Sequence, residues 1–229
     1  TAIFVGGSNV GAGEQLLAEV TKCFFGPMRV SVMLDANGAN TTAAAAVLAA
    51  ARHVELKGAS ALVLAGTGPV GQRAARLLAA AGANVRVASR SADRAAEVCQ
   101  AIAEQVDSAS LQPVATSNQA ELASALAGVQ VVIAAGAAGI ELLPRDVRDG
   151  ADQLKVAIDL NAVAPLGIAD VGVTDKAVDQ AGVVCYGAIG VGGTKMNIHK
   201  AAIRQLFQSN DQVLDADEIY AIGQQLEQE

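Results

Sequence analysis

The sequence predicts an α/β protein, a two-domain chain with a doubly wound, mostly parallel sheet and a smaller α/β domain. Three observations predict it. Short apolar runs such as Ala61–Ala65, Val129–Ala134 and Val156–Leu160 alternate with segments of helical periodicity, as buried parallel strands joined by crossover helices do. Gly66, Gly68 and Gly71 follow the first run in G-x-G-x-x-G spacing and open a helix. The composition is 52% apolar but only 3% aromatic, with no Trp, and so suits tightly packed layers of alanine, leucine and valine.

Taken in order, Ile3–Val5 reads as a strand and Gly11–Phe24 as a helix, with Leu16, Leu17, Val20 and Phe24 at helical spacing. Gly26-Pro27 breaks the chain, and Arg29–Leu34 forms a second strand. An alanine-rich helix then runs to about Val54, with Asn40 or Thr41 as its expected N-cap. Further strands are expected at Val85–Ala88, Gln112–Ala115 and Val183–Tyr186. Helices are expected at 70–81, Ala92–Gln105, Gln119–Ala127, near Pro144–Asp149 and at Asp175–Gln180. Two last helices fall at Lys195–Ser209 and Ala216–Gln228, the second opened by a capping box of Asp215 and Glu218. The expected domains are residues 1–54, residues 55–200 around the glycine motif, and terminal helices 201–229 packing back on the first. The chain opens on strand-like residues with no initiator Met, so an N-terminal segment is expected to be missing.

The 229 residues suffice for one large or two small domains. A net charge of −7 and the scarcity of aromatic rings argue against nucleic acid as a partner. Cys23, Cys99 and Cys185 are odd in number and widely spaced, which fits buried thiols in a reducing cytoplasm rather than bridges or metal ligands. The longest apolar stretch, Ala43–Ala51, is too short to span a bilayer, and no secretory signal is present.

The motif from Ala61 onward is that of a Rossmann dinucleotide site. Gly66 permits the turn, Gly68 admits the pyrophosphate, and Gly71 lets helix and strand pack closely, with Thr67, Pro69 and Val70 completing the phosphate loop. The helix N-terminus turns its N–H groups and positive dipole end toward the phosphates. After the second strand an NAD site usually carries a carboxylate for the ribose 2′-hydroxyl. Here Ser89-Arg90-Ser91 stands instead, so Arg90 is expected to fork onto a 2′-phosphate with Ser89 and Ser91 as neutral donors. NADP is therefore favoured, and use of NAD stays open.

Ligands of open parallel sheets lie beyond the carboxyl ends of the strands. That rule adds three loops to the glycine turn. Residues 134–139 bring Ala135 and Gly136 toward the cofactor's ribose, and residues 159–165 contribute Asn161. Residues 187–195, with four glycines in seven positions, are expected to lay Gly190 and Gly192 against the nicotinamide. Lys195 would open the next helix, with His199 one turn on, and is the candidate catalytic residue, able to orient a substrate carbonyl or tune a developing cation. No Tyr-x-x-x-Lys pair, zinc-ligand cluster or Walker lysine occurs. Hydride transfer by the cofactor is the chemistry that remains.

Seven separated blocks carry a further resemblance: Phe24–Val30, Asp35–Ala45, Leu64–Gly71, Gly139–Pro144, Asn161–Ile168, Gly187–Gly193 and Asp217–Tyr220. Together they resemble the bacterial NAD(P)-dependent methylene-tetrahydromethanopterin dehydrogenases, relatives of the methylene-tetrahydrofolate dehydrogenases. The resemblance implies hydride transfer from methylene-tetrahydromethanopterin, and in some members methylene-tetrahydrofolate, to NADP+, giving the methenyl form in one-carbon metabolism and the formaldehyde oxidation of methylotrophy. It places the pterin near Asn37, Asn40, Thr41 and Lys195 and implies a homo-oligomer, a trimer or hexamer. Two other readings stay open: a shikimate- or folate-type dehydrogenase of the same plan, and an NADP-binding sensor without turnover.

Overall fold

The computed structural model describes residues 1–228. They form two compact units, residues 1–45 with 193 onward, and residues 46–192. The division falls inside two helices rather than in loops, because the chain passes between units in mid-helix.

The first unit begins with β1 (Ala2–Val5), α1 (Val10–Lys22), β2 (Ser31–Leu34) and a 3₁₀ turn at Ala36–Gly38. Asn9 caps α1 by accepting the Ala12 N–H at 3.0 Å. Helix α1 stops at Lys22, two residues short of the expected end, and Phe25 and Met28 pair across a tight turn at Gly26, whose φ of +52° suits glycine. Helix α2 (Ala39–Ala51) follows, with Ala43 to Val47 fully buried. A helix apolar on every face is a core helix, and alanine lets neighbours approach it closely.

In the second unit the chain continues through β3 (Ser60–Leu64), α3 (Pro69–Ala80), β4 (Asn84–Ser89), α4 (Ala92–Ala103), β5 (Ser110–Ala115) and α5 (Gln119–Leu126). It goes on through β6 (Val131–Ala134), α6 (Arg145–Arg148), β7 (Val156–Asp159), β8 (Lys176–Gln180) and β9 (Val183–Tyr186). The sheet order is β5-β4-β3-β6-β7-β9-β8, parallel throughout except for β8. This is the doubly wound order, and its direction reverses between β3 and β6, where such sheets open a ligand crevice. Strands β3, β6 and β7 are buried on both faces, as their unbroken apolar runs require.

Helix α7 (Ala188–Gln205), β10 (Val213–Leu214) and α8 (Ala216–Leu226) close the chain. Strand β10 adds to β2 in parallel and completes the order β1-β2-β10 in the first unit. The box at α8 forms as expected, with Asp215 accepting from the N3 backbone and its own N–H donating to Glu218 at 3.0 Å.

Three expectations need correction. Asp175–Gln180 is an antiparallel edge strand, β8, and not a helix, because β9 supplies its hydrogen bonds. Residues 188–195 are helix rather than loop, so Lys195 sits more than a turn inside α7 and not at its start. Neither Asn40 nor Thr41 caps α2. Its start is held by Asp35, whose carboxylate accepts both the Thr41 N–H at 3.1 Å and the Thr41 hydroxyl at 2.8 Å.

Asp215 also accepts from the buried Asn40 Nδ2 at 2.8 Å, so it serves two elements at once. Asp215→Ala is therefore expected to destabilise the protein by about 2–3 kcal/mol, above the ~1 kcal/mol typical of an isolated cap, because a buried amide donor loses a partner. Urea unfolding with an unchanged m-value checks this; a loss of about 1 kcal/mol would show the cap alone.

Candidate nucleotide and substrate sites

In the second unit the site starts where β3 ends. Ala65 adopts φ +53°, and Gly66 N–H donates to Ala88 O at 2.8 Å, tying the turn to β4. A Cβ on Gly66 would lie 2.8 Å from Val87 Cγ1, and one on Gly71 would lie 2.7 Å from Ala65 O and 2.8 Å from Gly66 Cα. Gly71 is glycine because α3 touches the end of β3 there, and Gly66 because its turn lies against β4. Gly68 differs, since a Cβ would meet Ala65 O at 3.5 Å and Ala135 O at 3.7 Å, ordinary contact distances. The protein itself leaves room at Gly68, which is what a pyrophosphate passing over it requires.

Helix α3 begins with Gly68 as N-cap and Pro69 at N1, and no side chain caps it. Its leading N–H groups are thus left to an anion, in the geometry that phosphates use. Beside this end lies a cavity of about 470 Å³, lined among others by Thr67, Ser89, Arg90, Arg94, Thr116 and Gly136. Ser91 lines it too, and its hydroxyl caps α4 by accepting the Arg94 N–H at 3.4 Å, while Ser91 N–H donates to the Ser89 hydroxyl at 3.2 Å. Arg90 is exposed just after the end of β4, so its guanidinium is open to an anion. These features fit a dinucleotide carrying a 2′-phosphate.

Arg94 escaped the sequence reading. The signal was available: a cation in the first turn of a helix opposes the dipole, and its four-residue spacing from Arg90 brings both guanidinium groups to one cavity. Among the described residues neither guanidinium meets a carboxylate.

Two other expected cofactor residues are occupied by the protein. Asn161 is buried, with Nδ2 donating to Pro165 O at 3.1 Å and Oδ1 accepting the Val163 N–H at 2.9 Å, so it braces its own loop. Asp159, just before it, accepts N–H bonds from Asn161 and Ile168, and its burial pushes the carboxyl pKa up despite them. Gly190 is buried against the Asp175 carbonyl, where any Cβ would collide, so its reason is helix packing. Gly192 faces open space and keeps room for a ligand. Ala135 and Gly136 follow β6, with Gly136 closed over by Leu142.

The expected substrate residues lie in the first unit, and the structure separates them into two groups. Asn40 and Thr41 are almost fully buried. Asn40 Nδ2 donates to Leu34 O at 2.6 Å, and Thr41 is held by Asp35, so both are braces and present no surface to a substrate. Asn37 is exposed, at φ +53°, with its N–H donating to Gly7 O at 2.6 Å. Lys195 is half-buried, and its Nζ lies over Gly38. One turn on, His199 Nδ1 lies 3.4 Å from the buried Asp35 carboxylate.

The doubly wound sheet, the glycine turn and the paired arginines define a Rossmann oxidoreductase that binds a nicotinamide dinucleotide. Residues 1–37 match the family model described as methylene-tetrahydromethanopterin dehydrogenase, N-terminal, and residues 47–163 match that of shikimate/quinate 5-dehydrogenase. The bifunctional protein MdtA of Methylorubrum extorquens is 44% identical over 231 residues, which span 99% of this chain and 79% of that protein. The NAD(P)-dependent methylenetetrahydromethanopterin dehydrogenase of the same organism is 29% identical over 97% of this chain and 78% of its own. The chain belongs to the methylene-tetrahydromethanopterin dehydrogenase family. Among solved structures, a transhydrogenase from Sinorhizobium meliloti shares the fold at TM-score 0.57 and 18% identity, over 94% of this chain and 64% of that one. This chain thus spans under two thirds of that structure's length.

Arg90→Ala and Arg94→Ala are each expected to weaken NADP binding by about tenfold or more, the loss of a charged hydrogen bond, while NAD binding shifts by about twofold at most. Titration of both cofactors by tryptophan-free fluorescence of the reduced nicotinamide, or by calorimetry, checks this. Equal losses for the two cofactors would remove these arginines from the 2′-phosphate.

Proposed function

We propose that this protein oxidises methylene-tetrahydromethanopterin, and to a lesser degree methylene-tetrahydrofolate, to the methenyl form with NADP+ as preferred acceptor and NAD+ as a weaker one. The observation that carries the reading is the open Gly68 turn at the uncapped end of α3, set beside Arg90 and Arg94. The similarity to the two Methylorubrum proteins supports the pterin side.

The cofactor, when bound, accepts the hydride. Thr67, Gly68, Val70 and Gly71 hold its pyrophosphate, and Arg90 and Arg94 its 2′-phosphate. Asn37 and Lys195 take the pterin, Lys195 as a hydrogen-bond donor to a polar group of the ring system. Among the described residues its ammonium makes no hydrogen bond or ion pair, so it is available for that contact. The hydride leaves a carbon flanked by two nitrogens, which share the positive charge left behind. No strong general base is needed for that step. The same proposal includes self-association and a cytoplasmic setting. Its supports are the exposed Phe25, Met28 and Phe207 for association and three free cysteines for a reducing setting, of which Cys99 and Cys185 are buried as expected and Cys23 is exposed; no described helix is long and apolar enough to cross a membrane.

The test follows absorbance at 340 nm with NADP+ and methylene-tetrahydromethanopterin, with methylene-tetrahydrofolate, shikimate and NAD+ in parallel. Fast NADPH formation with the methanopterin substrate is expected. Turnover of shikimate alone, or NADP binding without turnover of any substrate, would overturn the reading. Lys195→Met is expected to lower kcat by about 100-fold, the scale of one well-placed electrostatic contact, with NADP affinity near that of the wild type.

A further inference from the structure

We infer that Gly38 is a positioning residue whose missing side chain forms the seat of the Lys195 ammonium. The inference rests on the role given to Lys195 above. A Cβ built on Gly38 would lie 2.5 Å from Lys195 Nζ and 3.1 Å from its Cε, so the ammonium sits where a side chain would begin. No other group approaches that point closely, the next being Thr41 Oγ1 at 3.9 Å. The atoms that a side chain at 38 would meet are thus the end of a flexible lysine rather than backbone, so Ala at 38 would push the amine aside, with the strain of its positive φ as a separate cost.

Both sides of the contact are pinned. On the turn, Gly38 N–H donates to Asp35 O at 3.0 Å, and Gly38 O accepts the Thr42 hydroxyl at 2.6 Å and the Thr41 hydroxyl at 3.3 Å. The neighbouring Asn37 N–H is fixed on Gly7 O. On the helix, His199 lies on the same face of α7 one turn beyond Lys195 and reaches Asp35 at 3.4 Å, with its ring edge-on to Phe4. The buried Asp35 carboxylate therefore holds the 35–41 segment through Thr41 and α7 through His199. These bonds fix the turn and the helix stem, and Gly38 leaves the volume in which the amine comes to rest. A lysine that must meet one atom of a substrate gains from such a seat, because a displacement of about 1 Å can cost on the order of 100-fold in rate.

The test is a double-mutant cycle on the full chain with NADP+ and methylene-tetrahydromethanopterin. Gly38→Ala is expected to lower kcat by about 100-fold, with NADP affinity, measured separately, near that of the wild type. Gly38→Asn should lose as much as Gly38→Ala. Asn tolerates a positive φ better than Ala does, and φ at 38 is +63°, so a loss from backbone strain alone would be clearly smaller for Asn. The losses of Gly38→Ala and Lys195→Met should not add, the double variant turning over like Lys195→Met alone. Additive losses, a milder Asn variant, or wild-type kcat in Gly38→Ala would each overturn the seat. Wild-type kcat in Lys195→Met would instead overturn the role of Lys195 itself.

Discussion

The contact between the start of α3 and the end of β3 governs the nucleotide-binding unit. Gly71 lies so close to Ala65 O and Gly66 Cα that a single methyl group would force strand and helix apart. That closeness aims the first turn of α3 back over the strand end, and it places Gly68 at the point where the sheet order reverses. The cavity with Arg90 and Arg94 follows from it, since β4 pairs with β3 and delivers Ser89 and Arg90 to the same edge. The shape of the turn depends less on charged side chains than on how near two backbones can come.

The first unit relies on a different device, a carboxylate out of water. Asp35 ends β2, holds Thr41 by two hydrogen bonds and meets His199. A buried acid is costly unless its oxygens are engaged, and the two hydrogen bonds from Thr41, with His199 nearby, explain why it persists there. Asn40 works in parallel, joining Leu34 O to Asp215. Through these two residues β2, α2 and the start of α8 are joined by hydrogen bonds, and α7 comes against them at His199, in a unit whose described residues form a three-stranded sheet.

The strand, glycine turn and helix from β3 to α3 were legible because their determinants are local: glycine spacing, a strand run before it, a helix after it. The misreadings come from tertiary context. Four glycines in seven residues argue for a loop, yet Gly187 and Gly190 lie in or at the start of α7 because the backbone of 172–175 passes against them. Strand β8 is polar and mostly exposed, with a register shift between Lys176 and Val178, so no alternation marks it and only β9 makes it a strand. Asn40 and Thr41 look like ligand residues in a polar, turn-rich segment. Their burial depends on partners, Asp215 among them, that lie far along the chain.

The order of strands β1, β2 and β10 has a consequence for the birth of the protein. Strand β2 gains its second neighbour only from residues 213–214, after every residue of the Rossmann unit has been made. On the ribosome the inserted unit emerges whole and can fold while one edge of β2 still lacks its partner, since domains fold as units during synthesis. Until β10 arrives, that edge is open to pairing with another chain. The interval between completion of the Rossmann unit and the arrival of β10 is therefore the one in which that edge is most exposed to mispairing.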